Sequence, residues 1–328
     1  MNIFWAAIFL LAGVAILLKG ADWLVDGAVA LAERFGVSPL IIGLTIVAMG
    51  TSAPEVATSI TAAARGLGNT AIGNVYGSNI ANLALVGGLC ALIRPITIQL
   101  RTLKREMPAM LIVALLLWPV LRNLHLSRAE GLGLLVLFTA LVAFTVYMGL
   151  RDAKVRPADA DRIRQHIHDK AAREAKPFYT CAILIILGLA GLALGADLAI
   201  RGGVFIGERL GLSKAVIGLT IIAVGTSLPE LMTCVVAALK GHDDISVGTL
   251  VGSNIFNALL AVGCGGVIRP FDINQRLIGV DYWVMVAISG AFILMATTGK
   301  LINRLEGLLL TCAYAAYLVY LLAFTRAI

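Results

Sequence analysis

The chain has 328 residues, 59% of them hydrophobic and only 14% charged, against roughly 25% charged in a soluble domain. With a mean hydropathy of +0.93 it has too little polar surface to fold in water around one core, so its partner is a lipid bilayer. The formal charge of +7 does not indicate a nucleic-acid binder, because eight Lys or Arg residues sit beside five acids in a single polar stretch, Arg151 to Pro177.

In chain order, apolar runs long enough to cross about 30 Å of hydrocarbon predict spans near residues 3–31, 37–65, 70–91, 107–121, 131–150, 178–207, 213–239, 245–267, 280–298 and 306–325. The fourth is short. The polar stretch divides them five and five: a first unit over 1–150, a linker over 151–177 and a second unit over 178–328. Its Lys and Arg residues place the linker in the cytoplasm by the positive-inside rule, with both termini outside and the chain integral to the cell (inner) membrane. The first apolar stretch holds Lys19 and Asp22 and recurs later in the chain, so it reads as a span and not as a cleaved signal. The five cysteines lie singly without metal-like spacing and read as small packing residues.

The two units carry the same text. Gly43-Leu-Thr-Ile-Val-Ala48-Met-Gly-Thr51-Ser52-Ala-Pro54-Glu55 returns 175 residues later as Gly218-Leu-Thr-Ile-Ile-Ala223-Val-Gly-Thr226-Ser227-Leu-Pro229-Glu230. Each copy is followed by Gly-Ser-Asn-Ile-x-Asn, at Gly77 to Asn82 and Gly252 to Asn257. A five-span unit repeated once must insert the second time upside down, which puts a pseudo-two-fold axis in the membrane plane and a site near the midplane. The fold expected is therefore an all-α membrane protein of about ten transmembrane helices, in two inverted five-helix repeats with broken helices at the midplane.

Pro54 and Pro229 fall mid-span, where a missing N–H and a ring clash stop or kink a helix. They suit the first position of a new half-helix, with Ser52 and Ser227 as caps. The carbonyls of Ala48 and Ala223 are then expected to be free. Charges at such depth cost a few kcal/mol even on permissive scales and mark function, so Glu55 and Glu230 are the central candidates. Thr51 and Glu55, Thr226 and Glu230, Ser78 and Asn82, and Ser253 and Asn257 are each four apart and share a helix face. Four such faces converging gather only oxygen, the chemistry of hard cations such as Ca²⁺ or alkali ions, not of Zn or Cu. His166 and His168 read as solvated linker residues.

At these residues the chain resembles the sodium/calcium exchanger family of the cation/calcium antiporter superfamily, in its compact prokaryotic form. The resemblance implies exchange of Na⁺ for Ca²⁺ by alternating access, with no catalytic residue and no cofactor beyond the transported ions. Carried over by position, it assigns ion ligation to Glu55, Glu230, Thr51, Ser52, Thr226, Ser227, Ser78 and Ser253, to the carbonyls of Ala48 and Ala223, and to the amides of Asn82 and Asn257. Some relatives, the potassium-dependent exchangers among them, carry Asp where this chain has Asn257, which argues against K⁺ co-transport. The 27-residue linker is too short for the regulatory Ca²⁺-binding domains of larger relatives. Asp22 and Asp197 read as solvated ends of long helices, with a gating role as the other reading because the family's first and sixth helices slide. An antiporter of the same fold that exchanges Ca²⁺ for H⁺ is the alternative function. A monomer is the expected state.

Overall fold

A computed structural model describes residues 2–154, 176–212 and 217–325. Its order of elements repeats once. The first unit holds α1 (Ile3–Phe35), α2 (Pro39–Thr51), α3 (Ala53–Ala64), α4 (Gly68–Ile93), strand β1 (Ile96–Thr97), the short α5 (Leu100–Lys104), α6 (Glu106–Leu121), β2 (His125–Leu126) and α7 (Arg128–Lys154). The second holds α8 (Phe178–Arg209), α9 (Thr220–Thr226), α10 (Leu228–Leu239), α11 (Asp243–Ile268), β3 (Phe271–Asp272), α12 (Leu277–Thr297), β4 (Leu301–Ile302) and α13 (Arg304–Thr325).

Seven of these helices are long and apolar enough to span a bilayer, and the bent pairs α2–α3 and α9–α10 raise the number to nine. The remaining expected span, the fourth, at residues 107–121, is the helix α6, but its 16 residues reach only about 24 Å at 1.5 Å per residue. The linker falls largely in 155–175, and His166 and His168 with it, outside the described residues. The end of α7 and the start of α8 flank that stretch, and their side of the bundle is called the linker face below.

Burial sorts the helices into an inner and an outer set. In α11, 94% of the apolar window is buried, and in α4 72%, against 11% in α7 and 22% in α1 and α13. The helices bearing Gly-Ser-Asn-Ile-x-Asn are thus the axis of the bundle. The outer helices expose Leu11, Ile112, Val136, Ile186, Leu294 and Val319, the side chains a bilayer solvates and water does not.

The longest contact is between α1 and α8, which run antiparallel. Gly13, Gly20 and Gly27 are seven apart, and so are Gly188, Gly195 and Gly202. A Cβ on Gly13 would lie 2.6 Å from the Ala199 amide, one on Gly20 2.8 Å from that of Leu192, and one on Gly202 2.6 Å from the Ala6 carbonyl. Backbone therefore meets backbone along the seam, the close approach that small residues permit between membrane helices.

Symmetric clasps join the two units at each face. On the linker face β1 pairs with β4 (Ile96 with Ile302), and on the opposite face β2 pairs with β3 (Leu126 with Phe271). Arg94 donates to the Ala238 carbonyl and Arg269 to that of Ala64, so each unit's α4 or α11 end is tied to the other's bent helix. One clasp breaks the symmetry. Lys240, at the end of α10, pairs with Asp22 at 2.5 Å and Asp26 at 2.6 Å on α1. The matching position to Asp26 is Arg201, which takes Asp197 for itself at 2.8 Å. Asp22 is thus no helix end: it lies 13 residues before α1 stops and bridges Lys19 and Lys240.

The glycine seam makes a specific demand. Gly195→Leu should force α1 from α8 and lower the melting temperature in detergent by several degrees, since overpacking costs about 1–3 kcal/mol. Gly290→Ala, where nothing lies within 4 Å of the added carbon, should leave it unchanged.

Candidate cation-binding site

Each bent helix turns at the serine before the proline pair. Ser52 has φ −82° and ψ 0°, and α3 leaves α2 at 47°; Ser227 has φ −89° and ψ 6°, and α10 leaves α9 at 54°. The new half-helices begin at Ala53 and Leu228, so Pro54 and Pro229 occupy the second position. Neither serine hydroxyl caps the helix that follows. The reason is visible at Ser52, whose hydroxyl instead donates across the two-fold axis to Glu230 Oε1 at 2.9 Å. That bond uses the O–H and is charge-assisted, about twice as strong as a neutral one, and the rotamer that makes it does not offer the oxygen to the helix amides.

The backbone differs from expectation as well. The Ala48 carbonyl is not released by the bend: it accepts the Ser52 amide at 3.0 Å and the Thr51 hydroxyl at 3.4 Å. The proline takes a donor from the carbonyl four residues back, that of Gly50, and leaves the Ala48 bond in place. Both lone pairs of the carbonyl thus have a donor, so Ala48 can face a cation only as a shared acceptor, with the longer Thr51 bond the one to yield. The surroundings of Ala223 lie outside the described residues, and only its place at the start of the last turn of α9 is described.

Glu55 and Glu230 stand in the first turns of α3 and α10, where the partial positive charge of a helix N-terminus favours an anion. Both are buried, as are Thr51, Ser52, Ser78, Asn82, Ser227, Ser253 and Asn257; Thr226 is half-buried. Ser227 neighbours Glu55 as Ser52 neighbours Glu230, but without the hydrogen bond. Many of these groups have no partner among the described residues. Both oxygens of Glu55, Oε2 of Glu230, the hydroxyls of Ser227 and Ser253, Oδ1 of Asn82 and both side-chain polar atoms of Asn257 make no hydrogen bond. Buried polar atoms are nearly always paired, so such a concentration of unpaired oxygens fits a hard cation as the missing partner.

Three features were not foreseen from sequence. The axis helices carry π-helical turns at Ala81–Val86 and Asn257–Ala261, and the bent helices at Gly43–Val47 and Gly218–Ile222. Each extra residue re-aims a face at the site, and nothing in the apolar pattern signals it. Asn79 donates to the Asn254 carbonyl at 3.3 Å and joins the axis helices to one another. Asn74 donates to the Glu55 carbonyl at 3.0 Å and to Ser59 at 2.9 Å, a brace that the second unit lacks because Thr249 and Cys234 stand at those positions.

The two halves of the site differ in openness. On the linker side α2 is pressed into α11: a Cβ on Gly248 would meet the Leu40 carbonyl at 2.7 Å, and one on Gly252 would meet the Ala48 Cβ at 2.6 Å. On the other side a cavity separates the described parts of α9 from α4, and a Cβ on Gly77, the partner of Gly252, would meet nothing within 4 Å among the described residues. The cavity has a volume of about 440 Å³ and is lined by Thr58, Asn74, Ser78, Thr226, Asp281 and Tyr317 among others. It reaches the site through Ser78 and Thr226, beside the start of α12 and the end of α13, on the face opposite the linker. Thr51 and Ser253, their counterparts, are sealed.

The crossing bond from Ser52 gives a test. Ser52→Ala removes the hydroxyl that bonds Glu230 across the axis, and titration calorimetry should then show cation affinity lower by roughly tenfold or more, the worth of a hydrogen bond to a charged group.

Comparison with known proteins follows the same lines. A family model described as sodium/calcium exchanger protein matches residues 5–147 and 180–323. CaxA of Alkalimonas amylolytica is 43% identical over 95% of this chain and 97% of its own. Sodium/calcium exchanger MaX1 of Methanosarcina acetivorans is 35% identical over 96% of this chain and 97% of its own. The solved sodium/calcium exchanger of Methanococcus jannaschii superposes with a TM-score of 0.81 at 30% identity, covering 97% of this chain and 99% of that one.

Proposed function

Since the chain belongs to the sodium/calcium exchanger family, a family of membrane transporters and not of enzymes, we propose that this Ca²⁺ antiporter uses Na⁺ as its counter-ion and binds both at Glu55 and Glu230. The observation that carries the reading is the bond from Ser52 to Glu230 across the two-fold axis, which sets one unit's bent helix against the other's carboxylate amid unpaired oxygens. The remaining ligands are the hydroxyls of Thr51, Ser52, Ser78, Thr226, Ser227 and Ser253, the amides of Asn82 and Asn257, the shared carbonyl of Ala48 and the carbonyl of Ala223.

Transport then follows from desolvation. Two ionised glutamates in a closing apolar interface carry a penalty of several kcal/mol each, after relaxation and water entry. A Ca²⁺ ion cancels their charge, and so do Na⁺ ions. A loaded site can therefore be sealed on one side and opened on the other, whereas an empty one resists closure. Because the same oxygens serve both cations, one species must leave before the other is carried back, and the two fluxes are coupled. The open cavity and the sealed linker side correspond to one of the two end states that such a cycle requires. On this reading the chain sits in the inner membrane, which is supported by its 34% identity to the inner membrane protein YrbG of Escherichia coli. The linker is then cytoplasmic and the cavity faces outward, and the protein acts as a monomer.

Flux into liposomes tests this directly. Glu55→Gln and Glu230→Gln keep the volume and lose the charge, and each should cut ⁴⁵Ca²⁺ uptake driven by a Na⁺ gradient by at least about 100-fold, the scale of a lost buried charge, with an unchanged size-exclusion profile. Uptake driven by a pH gradient and indifferent to Na⁺ would instead assign H⁺ as counter-ion.

Asn257 tests the charge count. Asn257→Asp should retain exchange, and Asn257→Leu, which removes the oxygen, should lose most of it; wild-type flux from Asn257→Leu would place this residue outside the site.

A further inference from the structure

The cavity is lined by a carboxylate that the central site does not use. Asp281 ends the π-helical turn Leu277–Asp281 that opens α12, and it is only 4% exposed. Its Oδ1 accepts the Tyr317 hydroxyl at 3.1 Å, and its Oδ2 lies 3.9 Å from Arg276 Nε. That second contact is an ion pair without a hydrogen bond, since Arg276 Nε has no hydrogen-bond partner. The guanidinium instead lies over the Tyr320 ring, 5.7 Å from its centre. Asp281 is thus a nearly buried carboxylate, with a loosely held counter-charge, on the wall of the cavity that leads to Ser78 and Thr226. An ionisable group at this depth is functional until shown otherwise.

The opposite half of the molecule repeats the pair. Glu106 and Arg101 stand 175 residues before Asp281 and Arg276, with Arg101 Nε 3.7 Å from Glu106 Oε1. Here the acid is held more firmly. Arg105, where the second unit has Val280, adds a contact from its Nε at 3.2 Å. Only a cavity of about 40 Å³ lies beside Arg105 and Glu106, near Phe144 and Thr145. The acid beside the open cavity has one distant arginine, and the acid on the sealed side has two nearer ones.

We propose that Asp281 is an admission site for hard cations, binding Ca²⁺ or Na⁺ in the open cavity by displacing Arg276 before the ion passes to the central glutamates, and that Glu106 does the same for the other half-channel. A Ca²⁺ ion is a compact oxygen-seeking charge and competes with a guanidinium 3.9 Å away on better terms than with one making a direct hydrogen bond. Tyr317 keeps its hydrogen bond throughout and fixes the carboxylate on the cavity wall. When this half-channel closes, Arg276 returns to Asp281 and replaces the departed cation, so that the acid is never sealed in without a counter-charge. The carboxylate also raises the local cation concentration in a cavity with apolar walls, where field lines are focused.

This inference rests on the reading of the chain as a cation antiporter, and sided kinetics keep the two apart. Ca²⁺ uptake is measured in right-side-out and inside-out vesicles, so that the ion meets either the cavity face or the linker face first. Asp281→Asn should raise the KM for Ca²⁺ at the cavity face by about tenfold, the lower end of electrostatic focusing, while turnover at saturating Ca²⁺ and the KM at the linker face stay as in the wild type. Arg276→Gln should move the cavity-face KM the other way, because it removes the competitor. Glu106→Gln should act on the linker face alone. A cavity-face KM left unchanged by Asp281→Asn, or a loss equal from both faces, overturns the proposal, as does a raised KM in Arg276→Gln. Loss of the antiporter reading shows elsewhere, as Ca²⁺ flux that survives Glu230→Gln.

Discussion

Two carboxylates in the middle of an apolar bundle are the constraint on which the structure depends. Neither Glu55 nor Glu230 has a basic residue beside it among the described contacts, and only one of their four oxygens makes a hydrogen bond. A soluble protein would not keep such a pair without neutralising it. Here the surrounding architecture supplies partial compensation: helix N-termini behind each acid, hydroxyls and amides at one helical turn, and an inverted second copy that brings its own set to the same point. The bends at Ser52 and Ser227 exist to turn those N-termini inward. The axis helices α4 and α11 are the most buried because they must carry the amides past the same point.

Much of this could be read from the residues. The duplication, its odd number of spans and the matched glutamates together require an inverted pair with one shared centre. Elements whose cause is local, such as the bend ahead of Pro54, were also legible. What was not legible depends on contacts between units. The Ser52 hydroxyl reads as a helix cap until Glu230, 178 residues away, is placed beside it. The Ala48 carbonyl reads as free until the bend is seen to occur after its hydrogen bond and not before. The π-helical turns leave no trace in hydrophobic periodicity, because one extra residue in a segment buried on all sides changes no pattern. The seven-residue spacing of Gly13, Gly20 and Gly27, and of Gly188, Gly195 and Gly202, was plain in the text. Its meaning required knowing that the two series face each other.

The motifs shared by the two units also explain why the cavity is informative. Gly252 touches Ala48 while Gly77 touches nothing among the described residues and borders the cavity instead, though the motifs around the two are the same. The difference is therefore one of arrangement and not of composition, and the same set of contacts can be exchanged between the two sides at small net cost. Packed cores are bistable in this way when two arrangements bury similar surface.

The exchange is not perfectly even, because Lys240 grips Asp22 and Asp26 while Arg201, which stands where the first unit has Asp26, turns to Asp197. A clasp present on one side only makes one resting posture deeper than the other. Detailed balance limits what that inequality can do. The ion gradient at which net movement halts is fixed by the numbers of charges exchanged and the membrane potential, neither of which a lysine at the rim can alter. The clasp governs how the idle protein divides its time between two postures, and so which direction of exchange starts first when a gradient is suddenly imposed.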